Sequence, residues 1–238
     1  MKFGGRIFRP RGWSILLTAV GVGLFAALGM WQLERAAFKD SVQLKFEQRL
    51  AQDYQALGRD DDLADVQYRK LKFMGRYEQA HHFLLDNQVH QGRAGYQVIT
   101  PLYLADSDYI LLVNRGWAAW GDSRESLPPI LPPQTGGEVS GIAFIPGEPA
   151  LSLGGVELNG EWPQLIPYVD IAALQQQYSK QLLPMVLWMA PEQPGAYLRD
   201  WDPIWLPPEK SRAYAVQWFC FAALALVLFV ILNLRKTE

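Results

Sequence analysis

Hydrophobic positions along the chain fall into three regimes. Residues 14–33 and 213–234 are apolar all round and hold no Asp, Glu, Lys or Arg; between them apolar and charged positions alternate at short periods. At ~1.5 Å rise per residue, about 20 helical residues cross the ~30 Å hydrocarbon core of a bilayer. A backbone in lipid must satisfy its own hydrogen bonds, which a helix does within one segment. The pattern predicts two transmembrane α-helices, one near each end, flanking a polar domain. A cleaved signal peptide is the alternative for the first run, but Gly29-Met30-Trp31-Gln32-Leu33 at its exit is a poor cleavage site, so the run reads as an anchor.

Residues 34–56 repeat apolar positions near 3.6, with Glu34, Lys39, Asp40, Lys45, Glu47 and Arg49 on a charged face, and predict a helix prolonging the first span. Residues 58–62 read as a solvated acidic turn. Strand patterning follows over residues 66–77, 82–85, 96–104, 109–113 and 139–145, rich in aromatic and β-branched side chains. Turn residues separate these runs, among them Asp86-Asn87, Gln91-Gly92 and Gly136-Gly137, and Pro128, Pro129, Pro132 and Pro133 predict an extended loop. Asp170 suits the N-cap of a short helix over residues 171–178, and residues 182–189 read as a further buried strand. Residues 191–208 return the chain to the membrane, with Trp201 and Trp205 near the interface. The expected middle domain is mostly antiparallel β, a curled sheet or partial barrel with minor α. The boundaries are 1–12 for an N-terminal flank, 13–33 for helix one, 34–211 for the outer domain, 212–234 for helix two and 235–238 for a C-terminal flank.

Charge changes this picture by orienting it. Lys2, Arg6, Arg9 and Arg11 precede the first span and Arg235 and Lys236 follow the second, so both flanks are expected on the cytoplasmic side. The outer domain then lies across the membrane, in the periplasm if the membrane is a bacterial inner one. Trp13, Trp31, Tyr214 and Trp218 stand near the span edges, where amphipathic rings settle. The formal net charge of −2 argues against a nucleic-acid binder. The single cysteine, Cys220, falls inside the second span, so the outer domain has no disulfide, CxxC or CxxCH. The short flanks leave no room for a signalling output module.

Candidate chemistry is sparse. The chain carries no HExxH, GxSxG, P-loop or dinucleotide-binding glycine motif. His81 and His82 are neighbours that point to opposite faces of a strand, so no metal site is expected from them and His90. No catalytic constellation emerges, and a non-enzyme is expected. Interaction signals are clearer. Ala19, Gly23 and Ala27 recur every four residues on the first helix as a small-residue stripe of the kind that lets helices approach closely. Gln217 is a polar residue in the second span, set between Tyr214 and Trp218. Asn114-Arg115-Gly116-Trp117 reads as a turn after a strand, presenting a guanidinium and an indole either as a binding anchor or as an Arg–Trp stack closing the sheet.

Several motifs resemble those of the surfeit locus protein 1 family of cytochrome c oxidase assembly factors. They are Leu28-Gly-Met-Trp-Gln-Leu-Glu-Arg35 leaving the first span, Tyr68-Arg69 with Gly75-Arg76-Tyr77, Gly95-Tyr-Gln-Val-Ile-Thr-Pro-Leu102, Val113-Asn-Arg-Gly-Trp117 and Tyr214-Ala-Val-Gln-Trp-Phe219. They occur in family order between membrane helices placed as the family places them. The resemblance implies a non-enzymatic membrane factor that helps mature subunit I of a haem-copper oxidase alongside other assembly factors, with Trp31 and Arg35 in the first motif as partner-facing candidates beside Arg115, Trp117 and the stripe. In some bacterial members it implies haem a near the second helix, where Lys210, Arg212, Tyr214, Gln217 and Trp218 are the candidates here. The family's proposed haem ligand is a histidine three residues before the tyrosine of the closing motif; this chain has Ser211, a poor iron ligand beside imidazole. Two other classes remain: a membrane-tethered extracytoplasmic enzyme, and a structural subunit of another membrane complex.

Overall fold

The computed structural model describes residues 2–3, 6–58, 61–121, 127, 130–131, 135–147, 155–156, 158, 160–195, 197–204 and 207–236. The proline-rich loop at 128, 129, 132 and 133, Trp205 and part of the acidic turn lie outside these residues. In chain order the elements are β1 (Lys2–Phe3), β2 (Arg6–Phe8), α1 (Gly12–Leu50), β3 (Gln55–Ala56), a 3-10 turn (Leu63–Asp65), β4 (Lys70–Tyr77), β5 (Phe83–His90), β6 (Arg93–Leu104), β7 (Tyr109–Ala119), β8 (Gly137–Phe144), β9 (Gln164–Ile166), α2 (Ile171–Gln175), β10 (Gln181–Met189), α3 (Pro208–Leu232) and β11 (Leu234–Lys236). The chain divides into two compact units, residues 1–45 with 202–238, and residues 46–201.

The first unit is an antiparallel helical hairpin. α1 and α3 are both long and apolar enough to cross a membrane. α1 is one continuous helix of 39 residues, roughly 58 Å at ~1.5 Å per residue, so it outruns a bilayer core as the sequence suggests. Leu16, Leu24, Val216 and Leu232 are among many exposed apolar side chains, the pattern of helices that face lipid. The faces that meet are small and aromatic. Phe25 lies against Trp218 (ring centroids 5.9 Å) and Phe221 (5.8 Å). The Phe219 ring lies over Gly29 so closely that an added Cβ would stand 2.6 Å from it. At one end Ser14 Oγ donates to Asn233 Oδ1 (3.2 Å). There β2 pairs antiparallel with both β1 and β11, a small sheet that the sequence does not announce and that brings the two chain ends together.

The second unit is built on a closed five-stranded barrel. Its strand order is β4-β8-β10-β7-β6, and β6 pairs back onto β4 through Gly75↔Leu104, Arg76↔Tyr103 and Tyr77↔Leu102. All pairings in the ring are antiparallel except β7 with β10. β5 and then β9 extend the sheet from β6, and β3 flanks β4. The barrel interior is apolar: Leu71 and Tyr77 of β4, Leu111 and Val113 of β7, and Leu187 and Met189 of β10 belong to one buried cluster. Outside the barrel a second cluster is aromatic, with Trp188 stacked on Phe144 (4.4 Å) and on Trp201 (5.4 Å), and Tyr68 tilted against it.

Some boundaries differ from the sequence reading. α1 ends at Leu50 rather than near residue 56, because Gln55 and Ala56 pair with Leu71 and Lys72 and leave the helical path. β4 starts at Lys70 rather than 66, since Tyr68 takes the left-handed conformation (φ 69°). Asp170 caps its helix as expected, Oδ1 accepting from the Ala173 N–H at 3.0 Å, but the helix stops at Gln175.

Candidate functional site

The end of the barrel where β7 and β10 finish carries the most unusual chemistry. Asn114-Arg115-Gly116-Trp117 is not a turn. β7 continues through it to Ala119, because a bulge absorbs one extra residue: Gln97 and Ile99 of β6 face Trp117 and Asn114. Gly116 makes this feasible. Its φ is +120°, and a Cβ there would lie 2.6 Å from Leu198 O, 2.9 Å from Tyr197 Cβ and 3.0 Å from Arg199 Cγ. The segment at 197–199 therefore packs directly on the bulge, with Trp117 N donating to Leu198 O (2.7 Å) and Leu198 N to Trp117 O (3.1 Å).

Arg115 follows Leu111 and Val113 on the inward row of β7, since side chains alternate with period two. Only 4% of its surface is exposed, so it is not a presented anchor. It does not stack on Trp117; its guanidinium lies over the Tyr197 ring, 5.1 Å from the centroid. Trp117 instead donates Nε1–H to Gln88 O (2.9 Å) and lies beside His90. Arg199, on the covering segment, is bound by carbonyls: Nε donates to Tyr197 O, Nη1 to Ala190 O and Gln193 O, and Nη2 to Gly195 O. Arg115 contrasts with it. Its Nη1 is buried and no hydrogen-bond partner accepts from it. The buried Tyr77 hydroxyl is likewise unpartnered.

Electrostatics ties these groups together. Burial pushes the Tyr77 phenol well above the ordinary tyrosine range, while the Arg115 and Arg199 charges pull the other way. Burial also lowers Arg115 from its usual value, though a guanidinium stays protonated in proteins. His82 is buried nearby; burial first, then the Arg115 charge, depresses its pKa. Its Nε2 faces the Gln79 carbonyl (3.2 Å), which only accepts, so Nε2 carries the proton and Nδ1 accepts from the Thr100 hydroxyl (3.1 Å). Tyr77 lies in a motif quoted above, but nothing in the sequence joins it to Tyr197 and Arg199, which come from a stretch without periodicity.

On the hairpin, the candidates do not converge. Ser211 is 3% exposed on the α3 face that meets α1, and its hydroxyl accepts from Lys39 Nζ (3.1 Å). Arg212 is engaged by Asp40 and Glu209. Lys210, Tyr214 and Gln217 are exposed on another face of α3, while Trp218 packs on Phe25. These residues do not fit an iron-ligating haem site: the hydroxyl at the family's ligand position accepts from an ammonium, and Arg212, which with Lys210 could otherwise pair with the carboxylates of a haem, is already paired. On α1, Ala19, Gly23 and Ala27 are exposed, and nothing lies within 4 Å of where a Gly23 Cβ would stand. Arg35 lies over the exposed Trp31 ring, 5.5 Å from its centroid.

Comparison with known proteins finds relatives of the family that the motifs resemble. A SURF1-like protein of Drosophila melanogaster is 33% identical over 143 residues, covering 50% of this chain and 43% of that protein. A SURF1-like protein of Monosiga brevicollis is 25% identical over 254 residues, covering 98% of this chain and 89% of its own. Surfeit locus protein 1 of Xenopus tropicalis is 26% identical over 174 residues, covering 66% of this chain and 52% of its own. The matched region is thus less than half of the Drosophila relative and about half of the Xenopus one. The model of the SURF1 family matches residues 19–223, from inside α1 through the whole β domain to inside α3, and the chain belongs to that family.

Proposed function

We propose that this protein is a membrane-anchored assembly factor for a haem-copper (cytochrome c type) oxidase, assisting the maturation of subunit I without catalysing a reaction of its own. In this reading it sits in a bacterial inner membrane, both termini are cytoplasmic and the β domain is periplasmic. The Lys/Arg flanks support that orientation, as does the pairing of β2 with β11, which keeps the two chain ends on one side of the hairpin. Haem is no part of the proposal for this chain, since Ser211 and Arg212 are occupied within the hairpin.

The observation that carries the reading is the free face of α1. In lipid no hydrophobic force drives helices together, and close van der Waals approach over small residues takes its place. Ala19, Gly23 and Ala27 form such a surface, and α3 does not use it. Gly23→Leu should therefore reduce co-purification of oxidase subunit I several-fold, because a leucine side chain holds the partner helix off. Membrane retention should be unchanged, since leucine is at home in lipid. Undiminished recovery of subunit I would remove this face of α1 from the interaction.

A further inference from the structure

The guanidinium of Arg115 is a buried cation without a counter-ion. It has 4% exposure, it forms no ion pair among the described residues, and its Nη1 donates to nothing. Its neighbours make the omission sharper. Arg199 adds a second positive charge but directs its hydrogen bonds at carbonyls, and burial, with the Arg115 charge, disfavours the protonated form of His82. The Tyr197 ring supplies a cation–π contact, which attracts the charge but accepts no in-plane N–H bond. An uncompensated buried charge is strongly destabilising, and arginine cannot escape by losing its proton. A site that keeps such a charge, with the unpartnered Tyr77 hydroxyl near enough to respond to it, is prepared for an acceptor that comes from outside the fold.

We propose that Arg115 and Tyr77 form a receptor for the carboxylate group of a small organic acid at the end of the β barrel, beneath Tyr197. The planar guanidinium fork matches a carboxylate, and the phenol supplies a further donor. The two open donors, Arg115 Nη1 and the Tyr77 hydroxyl, match the two oxygens of a carboxylate, whereas a phosphate would bury further oxygens without donors. Tyr197 is held in place by the Leu131 N–H, which donates to its hydroxyl at 2.8 Å, and by the close approach at Gly116.

The test uses the full-length protein in detergent and follows its thermal unfolding while sodium acetate replaces sodium chloride at constant ionic strength. A ligand that binds only the folded state raises Tm in a saturable way. The expected result is a saturable rise of a few degrees with acetate and none with sodium phosphate. Arg115→Met should abolish the acetate response while leaving Tm in chloride at or above that of the unmodified protein, since it removes the unpaired charge. Tyr77→Phe deletes one hydroxyl from an intact core and should weaken the acetate midpoint several-fold; it decides the matter if Arg115→Met fails to fold. No difference between acetate and chloride, a response to phosphate alone, or an acetate midpoint unchanged in Tyr77→Phe would overturn the proposal.

Discussion

Gly116→Val should destabilise the β domain by about 3 kcal/mol or more, the sum of a forbidden backbone conformation and an unrelieved overlap. The backbone there has φ +120°, a region that a β-branched residue essentially never occupies. The new side chain would also meet the carbonyl of Leu198 and the Cβ of Tyr197, both backbone or near-backbone atoms that cannot swing aside. The bulge and the segment at 197–199 would have to separate, breaking the two hydrogen bonds between Trp117 and Leu198 and uncovering Arg115. Against a typical total stability of about 5–15 kcal/mol, that is a large fraction. Denaturant unfolding of the full-length protein followed by tryptophan fluorescence reads it directly. A midpoint within error of the unmodified protein would mean that 197–199 does not press on the bulge as described.

Trp188→Ala should cost about 3–5 kcal/mol, the range for removing a large buried aromatic side chain. The indole is 9% exposed on the outer face of β10, stacked between Phe144 and Trp201 at interplanar angles of 17° on both sides. Truncation leaves a ring-sized gap and exposes three aromatic neighbours, and the two stacks add roughly 0.5–1.5 kcal/mol each beyond their area. Trp201 Nε1 would keep its bond to Met189 O, so the return segment should stay attached while the cluster loosens. Near-ultraviolet circular dichroism should lose intensity and the unfolding midpoint should fall together. Trp188→Phe should recover part of the loss; a Trp188→Ala protein as stable as the original would show the stack to be incidental.

The helices were legible in the sequence because uncharged runs of that length leave few alternatives. The strand faces were legible wherever alternation was clean, as at Leu71 to Tyr77. Strand partners were not. Period two says which side chains share a face and nothing about which strand lies alongside, so the closure of β6 onto β4 rests on three residue pairs with no local signature. The parallel pairing of β7 with β10 joins residues about seventy positions apart. β9, three residues long, offers too little pattern to read.

The candidate sites show the same division. The small-residue stripe on α1 is visible in the sequence, but that it faces away from α3 is a matter of packing. Arg115 continues the inward row of Leu111 and Val113, and the period was there to be followed. A charged residue before a glycine reads more naturally as the exit of a strand than as its buried continuation. Ser211 stands out in the sequence by its departure from the family pattern. Its contact with Lys39 could come only from the way the two helices meet.

The proposed role in oxidase maturation is tested most directly in membranes from cells that lack this protein, by recording haem a absorbance and terminal oxidase activity alongside an upstream respiratory activity such as succinate dehydrogenase. The oxidase spectrum and activity should fall together while the upstream activity stays at its normal level, and the intact gene should restore both. Full oxidase content and activity in the absence of the protein would contradict that role.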